Sequence, residues 1–254
     1  MADITTGNEA KTDVNAPGIL SASAAEKEWT VESVLSSLPE PRPESKSTSP
    51  IPFFHLLHRL KSTKREGWRR FGISNGESIS DHMYRMSIIT MLAPPSLTAR
   101  LNVPKCTKMA LIHDMAEALV GDITPVDKVA KTEKSRREAA AMQYISQDLL
   151  GSVAGGIAGK GFQEIWEEYE ASETFDSKFV HDVDKVELLL QMMEYERAHK
   201  GKIDLSEFIW VADKIVLPEV QNWCQELVKE RNEFWKEIGI EPRVVKVLEK
   251  ASST

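Results

Sequence analysis

Residues 108–122 read KMALIHDMAEALVGD. Ala110, His113, Glu117 and Val120 recur at three- and four-residue spacing, so they fall on one stripe of a helix. Asp114 precedes Glu117 by three residues, which lets one imidazole and two carboxylates converge before Gly121 stops the helix. A second stretch, SISDHMYRMSIITML at 78–92, repeats the period through Ile79, Met83, Met86 and Ile89 and turns His82 inward on the Met86/Ile89 face. A third, FVHDVDKVELLLQMMEY at 179–195, carries Asp182 and Asp184 among Val183, Val186, Leu189 and Leu190. Periodicity leaves both acids open. His181, Asp184 and Leu188 share one side of that helix, and Asp182 lies about 160° round from Asp184.

Taken singly, an inward histidine is a hydrogen-bonded core residue and a helical acid is a solvated one. Together the residues read as a metal site. Imidazole nitrogens and carboxylate oxygens suit Zn, Mn, Fe, Co or Ni, and a helical scaffold can supply them from several helices at once. The doublet His113-Asp114 alone says little; HDMAEALVGD, with further acids at Glu117 and Asp122, says much more.

The order of ESISDHMYRMSIITM, ALIHDMAEALVGDITP, EKSRREAAAM, WEEYE and KFVHDVDKVELLLQ resembles the HD-domain phosphohydrolases, and within them the 5'-deoxynucleotidase branch, over roughly residues 50 to 235. The resemblance implies an all-α HD-domain helical bundle with a divalent ion (Mn, Co, Fe or Zn) on His82, His113, Asp114 and Asp184. Asp182 then reads as solvated or capping, and His181 as a helix-surface residue. Two-metal relatives draw on extra histidines between the doublet and the last acid, so the resemblance implies one metal here. It also implies catalytic roles for Glu117, on the attacking water, and Asp122, at the sugar or the departing alkoxide. The basic stretch KSTKREGWRR at 61–70 supplies positive charge for a phosphate, with Arg65 preferred over Arg69, and Trp68 as the residue that crowds out a 2'-hydroxyl. The activity implied is hydrolysis of deoxyribonucleoside 5'-monophosphates by a homodimer. The rivals are a phosphodiesterase or dNTP triphosphohydrolase on the same fold, and a helical module with a structural metal.

The chain has 254 residues, enough to bury a sizeable single core, and nearly no strand-type alternation. Its formal charge of -7 opposes broad nucleic-acid binding, and no run of eighteen apolar residues suggests a membrane span. Cys106 and Cys224 have no paired spacing, and the opening MADITTGNEAKTDVNAPG lacks the pattern of a signal or transit peptide. The reading is a cytoplasmic protein, with the nucleus open. Residues 1–49 read as a disordered extension with a short helix in EWTVESVLSSL, too poor in apolar residues to matter for stability, and 50–254 as the domain. GSVAGGIAGKG at 151–161 reads as a flexible loop, LSEFIWVADKI at 205–215 as a helix, EPRVVKVLEKA at 241–251 as a terminal helix, and Glu164, Glu167, Glu168 and Glu170 as a solvated face, with a role in the site left open by the WEEYE match. Trp210, Trp223 and Trp235 read as core or subunit interface rather than nucleotide-stacking residues, and His55 and His58 as packing and surface residues.

Overall fold

A computed structural model describes residues 28–39 and 41–240. The expected disorder of residues 1–25 and the expected terminal helix at 241–251 lie outside those residues. The described chain is helical throughout, apart from one isolated bridge between Lys64 and Ser78. Helices α1 (Val31–Ser37), α2 (Ile51–Ser62), α3 (Glu66–Arg69), α4 (Ile79–Met91), α5 (Pro95–Thr98), α6 (Val103–Ile112) and α7 (Glu117–Val120) form the first half. Then come α8 (Lys131–Gln143), α9 (Ile157–Ala171), α10 (Phe175–Ala198) and α11 (Pro218–Glu237).

Local chemistry sets the ends of the helices that matter most. Ser78 and Asp81 form a reciprocal capping box at the start of α4, so Asp81 is a helix cap beside His82 and not part of the site. Asn102 accepts from the Lys105 N–H ahead of α6, and Thr174 from the Ser177 N–H ahead of α10. Gly121 closes α7 at φ 76°, a conformation that glycine adopts without the steric cost of a side chain.

Two hydrophobic clusters make the interior. One gathers around α10, with Phe179, Val183, Val186 and Leu189 packed against Met86 and Met109. The other gathers around Leu56, Ile79, Met83, Leu119 and Ile145. Helices α4 and α6 serve both: Met83 and Ile112 belong to the second cluster, Met86 and Met109 to the first. His82 and His113 lie in these helices' path from one cluster to the other, which places them at the seam.

Three expectations need correction. The segment 151–161 is a connection only as far as Gly156: α9 starts at Ile157, and a β-carbon at Gly159 would come within 2.1 Å of the Ser146 carbonyl oxygen. That close approach seats α9 on a π-helical turn, Tyr144–Leu149, which extends α8. LSEFIWVADKI is a 3₁₀ segment, Ser206–Lys214, not an α-helix. The segment 28–49 is not free of the body either. Helix α1 buries Leu35 in the second cluster, with Trp29, Val31, Val34 and Leu38 packed against it, and the Lys46 N–H donates to the Asp148 carbonyl. Five apolar residues within eleven suffice when they share one face.

The role of α1 is testable. Leu35→Ala should cost about 2–5 kcal/mol, the usual range for a fully buried leucine. Chemical denaturation of the mutant and of a chain starting at residue 39 should both show the loss; unchanged midpoints would mean that α1 contributes nothing to the core.

Candidate metal centre

The helix expected to run unbroken through 108–121 breaks at the doublet. Helix α6 ends at Ile112, and the next turns close by three-residue bonds: Met115 N–H to Ile112 O, Glu117 to Asp114, Ala118 to Met115 and Leu119 to Ala116. In such 3₁₀ geometry side chains three apart eclipse. Asp114 and Glu117 therefore face the same way, into one cavity.

That cavity, of about 580 Å³, has His113, Asp114, Glu117 and Asp184 in its lining. Ligand atoms of His82, His113 and Asp184 lie within 4.8 Å of one another. Asp114 Oδ2 is 3.2 Å from His113 Nε2 and 3.8 Å from His82 Nε2, so all four expected ligands meet. His82 is fully buried, and its Nε2 makes no hydrogen bond although Asp184 Oδ1 is 3.2 Å away.

The opposite ring nitrogens are committed. His113 Nδ1 donates to the Ala110 carbonyl at 3.0 Å. His82 Nδ1 meets Glu187 Oε2 at 2.5 Å, and Glu187 is also held by Arg85 Nε at 2.8 Å. Each imidazole thus has its orientation fixed from behind and its Nε2 turned to the centre, the arrangement that metal-ligating histidines adopt. Glu187 and Arg85 were missed in the sequence. The available signal was Glu187 three residues after Asp184, and Arg85 three after His82, on one face of each helix.

Charge shapes the acids differently. Burial raises the proton affinity of Asp184 and Asp114, but the neighbouring histidines and Arg65 outweigh it and hold both carboxyls well below the usual range. Glu117 goes the other way: burial first, then the charges of Asp114 and Asp122, push it well above its ordinary value. Its Oε2 is buried without a hydrogen-bond partner.

Around this centre, Arg65 pairs with Asp114 at 3.2 Å, and Asp122 accepts from the Glu66 N–H at 2.6 Å. Lys134, from the stretch EKSRREAAAM, also lines the cavity and donates to the Ile123 carbonyl at 3.1 Å. Glu138, 3.6 Å from Lys134, is pushed up by burial to about 7. Trp68 lines the cavity but is almost wholly buried, its indole N–H bonded to Glu77 Oε1 at 2.8 Å. Arg69 is paired with Glu66 and does not line this cavity.

Other expectations sort themselves here. Asp182 is buried, not solvated; its carboxylate accepts from the Val216 and Leu217 N–H groups just ahead of α11, the capping alternative. His181 is half-buried, stacked on Tyr169 with centroids 3.9 Å apart. Of the four acids expected on the solvated face, Glu164 and Glu167 are exposed, Glu168 pairs with Lys105, and Glu170 reaches the cavity. His55 and His58 are exposed, and Cys106 and Cys224 are buried and free.

Comparison with known proteins agrees with this geometry. Residues 57–223 match the HD domain family. The chain is 45% identical to 5'-deoxynucleotidase hdd1 of Schizosaccharomyces pombe over 195 residues, covering 76% of this chain and 96% of that protein. It is 40% identical to 5'-deoxynucleotidase HDDC2 of Homo sapiens over 183 residues, 72% of this chain and 86% of that one. The solved structure of HD domain-containing protein YGK1 superposes with a TM-score of 0.59 at 30% identity, covering 82% of this chain and 100% of that one. With the matched span, the doublet and the helical scaffold in agreement, the chain is a member of the HD domain family.

Proposed function

We propose that the protein is a 5'-deoxynucleotidase, hydrolysing deoxyribonucleoside 5'-monophosphates to deoxyribonucleosides and phosphate. The observation that carries the chemistry is the buried, unpartnered Nε2 of His82 facing Asp184 and Asp114 at the floor of a substrate-sized cavity. A buried polar atom left without a partner is costly, and a cation there would satisfy it. The two-imidazole, two-carboxylate donor set fits one divalent ion on His82, His113, Asp114 and Asp184. The substrate class is supported by the relatives named 5'-deoxynucleotidases.

The bound ion would supply a polarised phosphoryl oxygen and an acidified water. Glu117 is the proton acceptor for that water. Its raised proton affinity suits it to take a proton at neutral pH, and its Oε2 has no competing bond. Asp122, held by the Glu66 N–H, is the group for the sugar or the departing alkoxide. Arg65 and Lys134 supply positive charge for the phosphate; Arg65 shares its charge with Asp114, so Lys134 adds what the basic stretch alone lacks. Trp68, wedged between Tyr195 and Phe208, is a rigid wall against the sugar.

A homodimer belongs to the same reading, but its interface moves. Trp235 is buried and Trp223 packs on the core, which leaves Trp210 as the exposed one of the three tryptophans. A row of exposed apolar residues runs along α4 instead, where Tyr84, Ile88, Met91 and Leu92 recur at helical spacing, with Leu111 exposed on α6. A cytoplasmic or nuclear location agrees with the two free buried cysteines, and no helix among the described residues is long and apolar enough to cross a membrane.

The deciding assay follows phosphate release from dNMPs, NMPs, dNTPs and cyclic nucleotides, with Mn, Co, Zn, Fe and Mg each returned to metal-stripped protein. Orthophosphate from dNMPs supports the reading; triphosphate from dNTPs, or hydrolysis of cyclic nucleotides alone, would replace it with one of the rivals.

Three variant tests follow. His82→Ala, His113→Ala, Asp114→Ala and Asp184→Ala should each lose bound metal and activity, whereas Asp182→Ala should keep the metal and lose roughly 1–3 kcal/mol of stability from the freed N–H groups. Metal analysis with thermal melts reads both, and metal loss only in Asp182→Ala would reverse the assignment. Glu117→Gln should keep its metal and drop about 10²- to 10⁴-fold in single-turnover rate. Glu187→Gln should instead weaken metal affinity by about 10- to 100-fold and recover rate in excess metal; the opposite pattern would exchange the two roles. Tyr84→Glu with Leu92→Glu should halve the mass seen by light scattering, and a monomeric wild type would end the dimer proposal.

A further inference from the structure

Side chains three apart eclipse in a 3₁₀ helix, so the outer row of Ser206–Lys214 is Glu207, Trp210 and Asp213, all exposed. Ile209, Val211 and Ala212 are buried. A tryptophan standing 53% exposed between two acids leaves a large apolar ring in water, and the chain has no freedom to withdraw it. Phe208 is packed on Trp68 and Phe71 with centroids 4.8 and 5.5 Å apart, and Glu207 pairs with Arg70. Just before the segment, the Leu205 N–H is bonded to the buried Glu196, which also holds Arg231 and Trp235.

Trp210 lines the same cavity as His113, Asp114 and Asp184. Among the described residues, the large hydrophobics that both line this cavity and remain exposed are Trp210 and Val126, the latter 49% exposed on the turn Pro125–Asp127. The cavity therefore has carboxylates and imidazoles among its buried lining and, on its exposed rim, the apolar Trp210 and Val126 among the charged Arg70, Lys131, Glu170 and Glu207. This polarity matches a nucleoside monophosphate, whose charge is at one end and whose flat apolar faces are at the other.

We propose that Trp210 is the stacking platform for the nucleobase, with Val126 completing the apolar rim. The inference rests on the phosphomonoesterase reading, because a phosphate at the carboxylate end requires the base to extend toward the mouth. Of the two acids flanking the platform, Glu207 is engaged with Arg70, and Asp213 offers acceptors alone. Recognition is then of the ring face more than of its edge, and purines, with more face to offer, gain more than pyrimidines.

The test compares nucleotides with 2-deoxyribose 5-phosphate, which keeps the phosphate and sugar but has no base. In the metal-loaded full chain, Trp210→Ala should raise KM for dAMP and dGMP by about 5- to 150-fold, and less for dCMP and dTMP. It should leave the KM, or the inhibition constant, of deoxyribose 5-phosphate unchanged, and Trp210→Phe should restore most of the loss. Equal losses with and without a base would assign Trp210 a structural role and overturn the inference. So would an unchanged KM for all four nucleotides, or a change in oligomeric mass in Trp210→Ala. Wild-type protein that releases no phosphate from any deoxynucleotide would overturn the underlying reading and the inference with it, a result distinct from an active wild type with an indifferent Trp210.

Discussion

The contact between His82 and Glu187 is the one on which the centre depends. Both side chains are fully buried, at a place where a lone charge would be strongly disfavoured. Arg85 makes the arrangement tolerable: it bonds Glu187 and extends along α10 to Gln191 at 2.9 Å and Glu194 at 2.6 Å. Burial alone would raise the proton affinity of Glu187, but His82 first and Arg85 after it hold it below its ordinary value. As a carboxylate it can only accept, so the proton sits on Nδ1 of His82 and the Nε2 side faces Asp184. The ladder is built from two i, i+3 pairs, His82 with Arg85 on α4 and Asp184 with Glu187 on α10. Packing one helix against the other sets the ligand and its support in a single step.

The same cavity concentrates negative charge. Asp114, Asp184 and Asp122 stand close enough to Arg65 for their charges to raise its proton affinity, and burial together with the charges of Asp114 and Asp122 raises that of Glu117. Arg65 and Lys134 compensate only in part, since Lys134 is also drawn toward Glu138. A cavity left with surplus carboxylate repels a phosphate dianion until a divalent cation is present. Metal binding and substrate binding are therefore coupled through charge, quite apart from any direct bond between ion and phosphate. The coupling extends to the fold, because an ion that binds only the assembled site stabilises the native state by mass action.

Much of this was legible in the sequence, for identifiable reasons. His82 and His113 follow apolar repeats whose period turns them inward, whereas the period leaves Asp182 and Asp184 both open and only the family resemblance separates them. Glu187 has the same period, yet its partner is 105 residues away, and no local pattern marks a pairing of that range. Lys134 resembles any other cation of a charged helix face until α8 is packed beside Ile123. GSVAGGIAGKG looked like a loop because its glycines signal freedom. Gly159 is instead small so that two helices can touch, a cause that only tertiary contact reveals. Trp210 was read as core or interface because exposed tryptophan is uncommon, and the eclipsed row that keeps it outside exists only once the segment is 3₁₀.

The position of the centre follows from the division of the interior. A single continuous core would have to desolvate two imidazoles and several carboxylates amid packed aliphatic groups, with no route for water or substrate. Dividing the apolar residues into a cluster around α10 and another around α2 and α8 leaves a seam crossed by α4 and α6. Met83 and Met86 belong to opposite clusters, so α4 carries His82 where the two meet. The break after Ile112 completes the arrangement, because in an unbroken α-helix Asp114 and Glu117 would stand about 60° apart round the axis. Tightening those turns to three-residue bonds brings Asp114 and Glu117 into register, so that both carboxyls enter the cavity together.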